Sequence, residues 1–314
     1  MPSRRSGRWW LRVAVGGPIL VLLWYFVGTR LLESFRGIHW SSLRINAWAM
    51  AGAVVVMMVV RVIQGLNAAL LLAAVGSPMP VRRVMPVIWI ATLGRYVPLQ
   101  YAAVAGALYG LVRIGARLPA AMAALFLATS LMMFAGLVAS MPLLFMPVIA
   151  DKAPSLWIVA LVFMAAALFC LHPRVFPRIC NPVLVRLKRP PLPDALRPGP
   201  FFSAVAMAAL RAVLLGLAMW FTLRSVTHVA AVDYLLVLCS AGLAVVAGFL
   251  VFFAPAAIGV HEGVYLLTLT PLVGAESAAL AAVLFRLLHL VGDSAVGAAG
   301  MLMLRSASAP PGTC

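Results

Sequence analysis

The sequence predicts an all-α, polytopic membrane helix bundle, and three observations carry that reading. Hydrophobic residues make up 65% of the 314-residue chain, charged residues only 10%, and mean hydropathy is +1.09. Soluble domains hold roughly 45–50% apolar and about 25% charged residues, so lipid must be the solvent for this excess. Apolar runs of the ~20 residues that cross ~30 Å of hydrocarbon recur along the chain. Charge is lopsided: 24 Lys and Arg against 7 Asp and Glu give a net +17, and its largest blocks flank apolar runs, as topology requires.

Taken in order, the chain opens with Arg4, Arg5, Arg8 and Arg12, then an apolar run from Val13 to Val27. Thr29-Arg30-Leu31-Leu32-Glu33 follows in place of a small-residue cleavage site. The segment near 13–31 therefore reads as an uncleaved first span with a cytoplasmic N-terminus. Further spans are expected near 46–75, 119–149, 155–171, 201–223, 229–253 and 277–304. Two apolar regions, about 84–112 and 255–274, are interrupted by glycine, proline and polar residues. Each reads as a broken helix, a re-entrant hairpin or a poor span, so about seven to eight spans are expected within a single domain, 1–314.

Residues 172–200 divide a first half, 1–171, from a second, 201–314. They carry eight prolines and six basic residues against one acid, Asp194. That composition reads as an extended cytoplasmic linker rather than folded structure. Most of the +17 is then topology plus attraction to anionic headgroups. Aromatic interleaving is absent from the basic stretches, which argues against nucleic acid as a partner. Cys170, Cys180, Cys239 and Cys314 form no CxxC, so free thiols are expected, and neither metal nor cofactor is implied. A faint internal echo joins the two interrupted regions. Pro98 precedes Gly115-Ala116 by 17 residues and Pro255 precedes Gly274-Ala275 by 19, each followed by an Ala-rich run. Such pairing suits transporters whose halves contribute broken helices to one site.

Candidate chemistry lies at the interruptions. In Pro255-Ala256-Ala257-Ile258-Gly259-Val260-His261-Glu262-Gly263, proline and glycines break the helix beside a carboxylate. Irregular backbone at membrane depth survives only inside protein or beside water, and a carboxylate there needs a partner or a task. The sequence therefore locates function around Glu262, against the plainer reading of a helix cap. Gly94-Arg95-Tyr96-Val97-Pro98-Leu99-Gln100 again joins a breaker to a cation. Arg95 is suited to a phosphate or carboxylate, or else to anchoring at the interface. In the last span Arg286, His289 and Asp293 share a helical face, as an ion network or a proton relay. Arg61, Gln64 and Asn67 mark a polar face in the second span, and Arg211 is a lone cation expected to pair with Glu262 or Asp293. Nucleotide-binding loops, HExxH, GxSxG and Cys/His clusters are absent.

These motifs resemble a known family. Gly94-Arg95-Tyr96-Val97-Pro98 with Arg113-Ile114-Gly115 resembles the first signature of the lysylphosphatidylglycerol synthase transmembrane-region family. Gly248-Phe249, Phe253-Ala254-Pro255, Ile258-Gly259-Val260, Glu262-Gly263 and Arg286 resemble its second, and His172-Pro173, Asn181-Pro182 and Lys188-Arg189-Pro190 its linker. The chain departs from the family at Leu99-Gln100, Ala256-Ala257 and His261, losing two typical cations at Gln100 and His261. The resemblance implies a stand-alone membrane domain that translocates or binds a lipid, an anionic phospholipid or, as in the hopanoid-associated subset, a polycyclic one. Taking the motif residues together with the intramembrane charges, substrate contacts are expected from Arg95, Tyr96, Pro98, Gln100, Gly259, His261, Glu262, Gly263, Arg61, Arg211, Arg286 and Asp293. Two other classes stay open: an intramembrane transferase or scaffold for a lipid-modifying enzyme, and a proton-coupled small-solute transporter.

Overall fold

The computed structural model describes residues 45–96, 101–145, 156–250, 257 and 259–308. The expected first span, 13–31, lies outside them. Every regular element among the described residues is helical: α1 (Ala47–Ala74), α2 (Val81–Thr92), α3 (Tyr101–Arg113), α4 (Leu118–Ser140), α5 (Leu156–Leu171), α6 (Val175–Arg186), α7 (Pro198–Val226), α8 (Tyr234–Leu250), α9 (Val260–Val273) and α10 (Ala275–Ser308). Short 3₁₀ turns follow α2 (Leu93–Tyr96) and α4 (Met141–Phe145) and precede α8 (Ala231–Asp233).

Five helices are long and apolar enough to cross a membrane: α1, α4, α7, α8 and α10. They are the helices of a membrane protein, each presenting large apolar side chains outward, such as Val55, Phe126, Val213, Leu235 and Val291. A count of seven to eight spans is not reached among the described residues. Helix α5 has only 16 residues and turns by 68° into α6, so together they make at most one bent span.

Local sequence sets the helix ends. Asn46 caps α1, its side-chain oxygen accepting from Trp48 N and Ala49 N at 3.1 and 3.2 Å, which satisfies two orphan amides. Pro119 and Pro198 begin α4 and α7, where proline loses no helical hydrogen bond.

One end of the bundle gathers the loops 75–80 and 114–117 and the segment 172–197. Arg117 Nη2 donates to Gly76 O at 2.8 Å, and Arg197 N donates to Ala74 O at 2.9 Å. Arg82, Arg83, Arg113, Arg174, Arg186, Lys188 and Arg189 share this basic end. Segment 172–200 corrects the expectation of an unfolded linker. Helix α6 occupies its first part, and Asn181 clamps the return strand of chain by accepting from Leu192 N (2.8 Å) and donating to Leu192 O (3.1 Å). Phe176, Leu184, Leu192 and Leu196 are buried against the spans. Their apolar area holds the segment down, a cue that proline and charge content had masked.

Two apolar clusters fill the interior, one at each end. Near the basic end, Leu71 and Leu72 of α1, Leu111 of α3, Leu127 of α4 and Ala204 of α7 pack together. At the opposite end the cluster joins Ala53 and Met57 of α1, Met219 and Leu223 of α7, Ala244 of α8, Leu269 of α9 and Phe285 of α10. The interrupted regions resolve against this frame. Helices α2 and α3 run as an antiparallel pair from the basic end, α2 ending in the 3₁₀ turn Leu93–Tyr96; residues 97–100 lie outside the described residues. Helix α9, of 14 residues, begins at Gly259 and runs to the opposite end, where Gly274 joins it to α10. At about 1.5 Å per residue these short helices reach only part-way through.

Candidate functional site

Charged side chains occur in these spans where helix geometry makes them most costly. Arg61 lies 61 − 47 = 14 residues from the start of α1 and 74 − 61 = 13 from its end. Arg211 lies 211 − 198 = 13 from the start of α7 and 226 − 211 = 15 from its end. Asp293 lies 293 − 275 = 18 and 308 − 293 = 15 residues from the ends of α10. Each is thus about 20–27 Å from either helix end, in the layer between the two apolar clusters. A charge at such depth must meet a partner or serve a purpose.

Asp293 is the hub of that layer. It is fully buried, as is Arg61 at 1% exposure, and Arg61 Nε lies 2.8 Å from Asp293 Oδ1. The Arg61 N–H does not point along that contact, so the attraction is an ion pair rather than a directed hydrogen bond. Tyr96 donates its hydroxyl to Asp293 Oδ2 at 2.8 Å, and Arg95 Nη1 lies 3.5 Å from the same oxygen. The tip of the α2–α3 hairpin therefore reaches the middle of the bundle and is held there by Asp293. Two features bring it in. Trp89 Nε1 donates to the carbonyl of Arg61 at 3.0 Å. Gly94 faces the α3 backbone so closely that a Cβ would lie 2.7 Å from Ala103 N, so no side chain fits there.

Beside the hub lies a cavity of about 190 Å³ between α1, α2, α3, α4 and α7. Gln64, Asn67, Thr92, Arg95, Thr129 and Arg211 supply its polar groups. Val104, half exposed, forms part of its wall, so the cavity reaches the lipid-facing side of α3. Arg211 makes no hydrogen bond or ion pair among the described residues, although Arg61, Arg95 and Asp293 act on it electrostatically. Arg61 occupies Asp293 and Arg286 approaches Glu262, so the expected pairing of Arg211 with either acid is not made. Counting Arg61, Arg95, Arg211 and Asp293, the layer carries 3 − 1 = +2. A cationic excess of this kind, counted over the described residues, is in low dielectric a strong attractor for an anion.

The second interruption is built differently. Gly259 has φ +86°, a left-handed conformation natural to glycine, and starts α9. Glu262 is buried, and its Oε2 accepts from Gly259 N at 2.7 Å. Its Oε1 lies 3.8 Å from Arg286 Nε. Gly263 N donates to Gly259 O at 3.0 Å, an ordinary helical bond, and His261 packs on Gly248 of α8. Helix cap and ion pair are both made by the one carboxylate.

The stripe on α10 divides accordingly. Arg286 turns to Glu262 and Asp293 to the hub, while His289 Nδ1 meets its own helix at Phe285 O, 3.0 Å away. Pro98 and Gln100 lie outside the described residues. Among the described residues no cluster of His, Cys, Asp and Glu could hold a metal ion. Thr92 and Thr129 went unnoticed in the sequence, since single threonines in apolar helices carry no signal of their own. The Arg61–Asp293 pair had one: a place near the middle of each helix. No family model matches the chain, and no curated protein matches it.

Proposed function

We propose that this protein binds the anionic headgroup of a membrane lipid in the mid-depth cavity and carries it between leaflets. The observation that supports this reading most is Arg211, a guanidinium with no hydrogen bond or ion pair among the described residues, sharing that cavity with Arg95. Two guanidiniums and the amides of Gln64 and Asn67 suit a phosphate, which Arg binds through paired N–H groups. The opening beside Val104 leaves acyl tails in the bilayer, so only the headgroup changes solvent. Tyr96 and Asp293 hold Arg95 in place until an anion draws it away. The resemblance of 94–98 and 248–263 to the lysylphosphatidylglycerol synthase transmembrane-region family supports the same class of cargo. In this reading the basic end faces the cytoplasm of a bacterial inner membrane.

Transbilayer movement of fluorescent phosphatidylglycerol in proteoliposomes tests the proposal. Arg211→Gln and Arg95→Ala should each slow it at least tenfold relative to wild type, since each loses a charge-assisted contact of about 1.5–3 kcal/mol. Rates unchanged in both variants would remove the cavity from the mechanism. Flux of a small solute driven by pH, with no lipid movement, would favour the proton-coupled alternative.

A further inference from the structure

A second cavity, of about 280 Å³, lies between α4, α7 and α8 and is almost wholly apolar. Its walls include Leu131, Ala135 and Val138 of α4, Ala208 and Ala212 of α7, and Leu238 of α8. It adjoins the polar cavity on two helices at once. Along α4, Met132 lines the polar cavity while Leu131 and Ala135 line the apolar one. Along α7, Arg211 lines the polar cavity while Ala208 and Ala212 line the apolar one. The two spaces are therefore within about one helical turn of each other. Val138 and Val213, at 45% and 44% exposure, stand at the rim, so the apolar cavity is open to the surrounding hydrocarbon.

We infer that this cavity receives one acyl chain of the lipid whose headgroup sits at Arg95 and Arg211, and so rests on the reading given above. Water has no partner in such a lining, and apolar cavities of this kind stay dry. An engineered apolar cavity of 150 Å³ accepts benzene, so this one takes hydrocarbon on the order of ten carbons. Leaving it empty would forfeit dispersion contacts on every wall. A bulk lipid chain competes for it at the bilayer's own concentration, whereas a chain tethered at Arg211 is held beside the opening. Charge on one side of Arg211 and an apolar cavity on the other thus match the two ends of one amphiphile.

Photocrosslinking in nanodiscs, with peptide mapping by mass spectrometry, tests the site. The probes are phosphatidic acid and phosphatidylcholine carrying the same diazirine-labelled chain, and retained lipid is measured in parallel by native mass spectrometry. Phosphatidic acid should label 131–139 and 205–213, whereas phosphatidylcholine should label the outward faces of the spans without that focus. Ala135→Leu with Ala212→Phe should abolish labelling of the cavity while phosphatidic acid is still retained. Equal labelling patterns for the two lipids, with retention still lost in Arg211→Gln, would overturn the acyl site and leave the headgroup reading standing. Retention unaffected by Arg211→Gln would overturn both. Cavity labelling that persists in the filled double variant would also overturn the site.

Discussion

Two interruptions bring charge to the interior of this bundle, and they use it in opposite ways. At the α9 start, Glu262 closes its own helix cap and faces Arg286. One carboxylate meets one guanidinium, and the break is electrically settled. At the tip of the α2–α3 hairpin, Arg95 and Tyr96 converge on an acid that Arg61 already holds. With Arg211 nearby, cations outnumber the acid by 3 − 1 = 2. The same sequence signal, a helix breaker beside a charge, thus marks a matched ion pair in one place and, among the described residues, an excess of cations in the other. What separates them is the balance of charge that the neighbouring helices bring, not anything in the interruption itself.

The largest effect that sharpens this contrast is expected at the hub. Asp293→Ala leaves Arg61 buried beside other cations and should cost about 3–5 kcal/mol, read as unfolding in detergent. Replacing both partners, Arg61→Met with Asp293→Leu, should recover most of that loss because an apolar pair leaves no stranded charge. Glu262→Ala removes a cap and an ion-pair partner, and should cost about 2–3 kcal/mol in the same assay. Glu262→Gln keeps the acceptor for Gly259 N and should cost about half as much. A stability loss in Glu262→Ala as small as that in Glu262→Gln would show that the cap is not what holds the break.

Tyr96→Phe should cost about 1 kcal/mol, the worth of its hydrogen bond to Asp293. Arg211→Gln should change stability by no more than about 0.5 kcal/mol, since no partner is stranded. That makes Arg211 and Arg61, both at mid-helix, a direct contrast between a cation the fold uses and one it leaves available. The smallest expected effect concerns the basic end. Burial raises the Cys180 thiol above its usual range, so less thiolate is present at neutral pH. Maleimide labelling of Cys180 should therefore be slow near pH 7 and accelerate as pH rises, compared with a fully exposed cysteine.

Membrane character and helical class were legible in composition alone, because no soluble core could hold so much apolar surface. The two interruptions were legible in part from Gly94 and Gly259, where the described helices α2 and α9 respectively give way and begin; Pro98 and Pro255 lie outside the described residues. How the charges at each break are partnered was not. Sequence reasoning favoured Glu262, since a carboxylate among apolar residues stands out. Its role as a cap and partner depends on Gly259 N and Arg286, and the second of these is 24 positions away by 286 − 262. The hub is less visible still, since Arg61 and Asp293 are 232 positions apart (293 − 61) and lie on the first and last described helices. Segment 172–200 misled for a related reason. Proline and arginine dominate its composition, while the Asn181–Leu192 clamp and four buried side chains decide its structure.

The central claim is that Arg211 is held unpaired for an anionic headgroup. Thermal unfolding with and without phosphatidic acid in mixed micelles tests it most directly. Ligand at 100 times Kd stabilises by about 2.7 kcal/mol. Wild type should therefore show a clear rise in Tm with phosphatidic acid and none with phosphatidylcholine. Arg211→Gln should lose that rise, while Arg224→Gln, whose guanidinium lies over Trp220 at the other end of α7, should keep it. An equal rise in Tm for wild type and Arg211→Gln would contradict the claim.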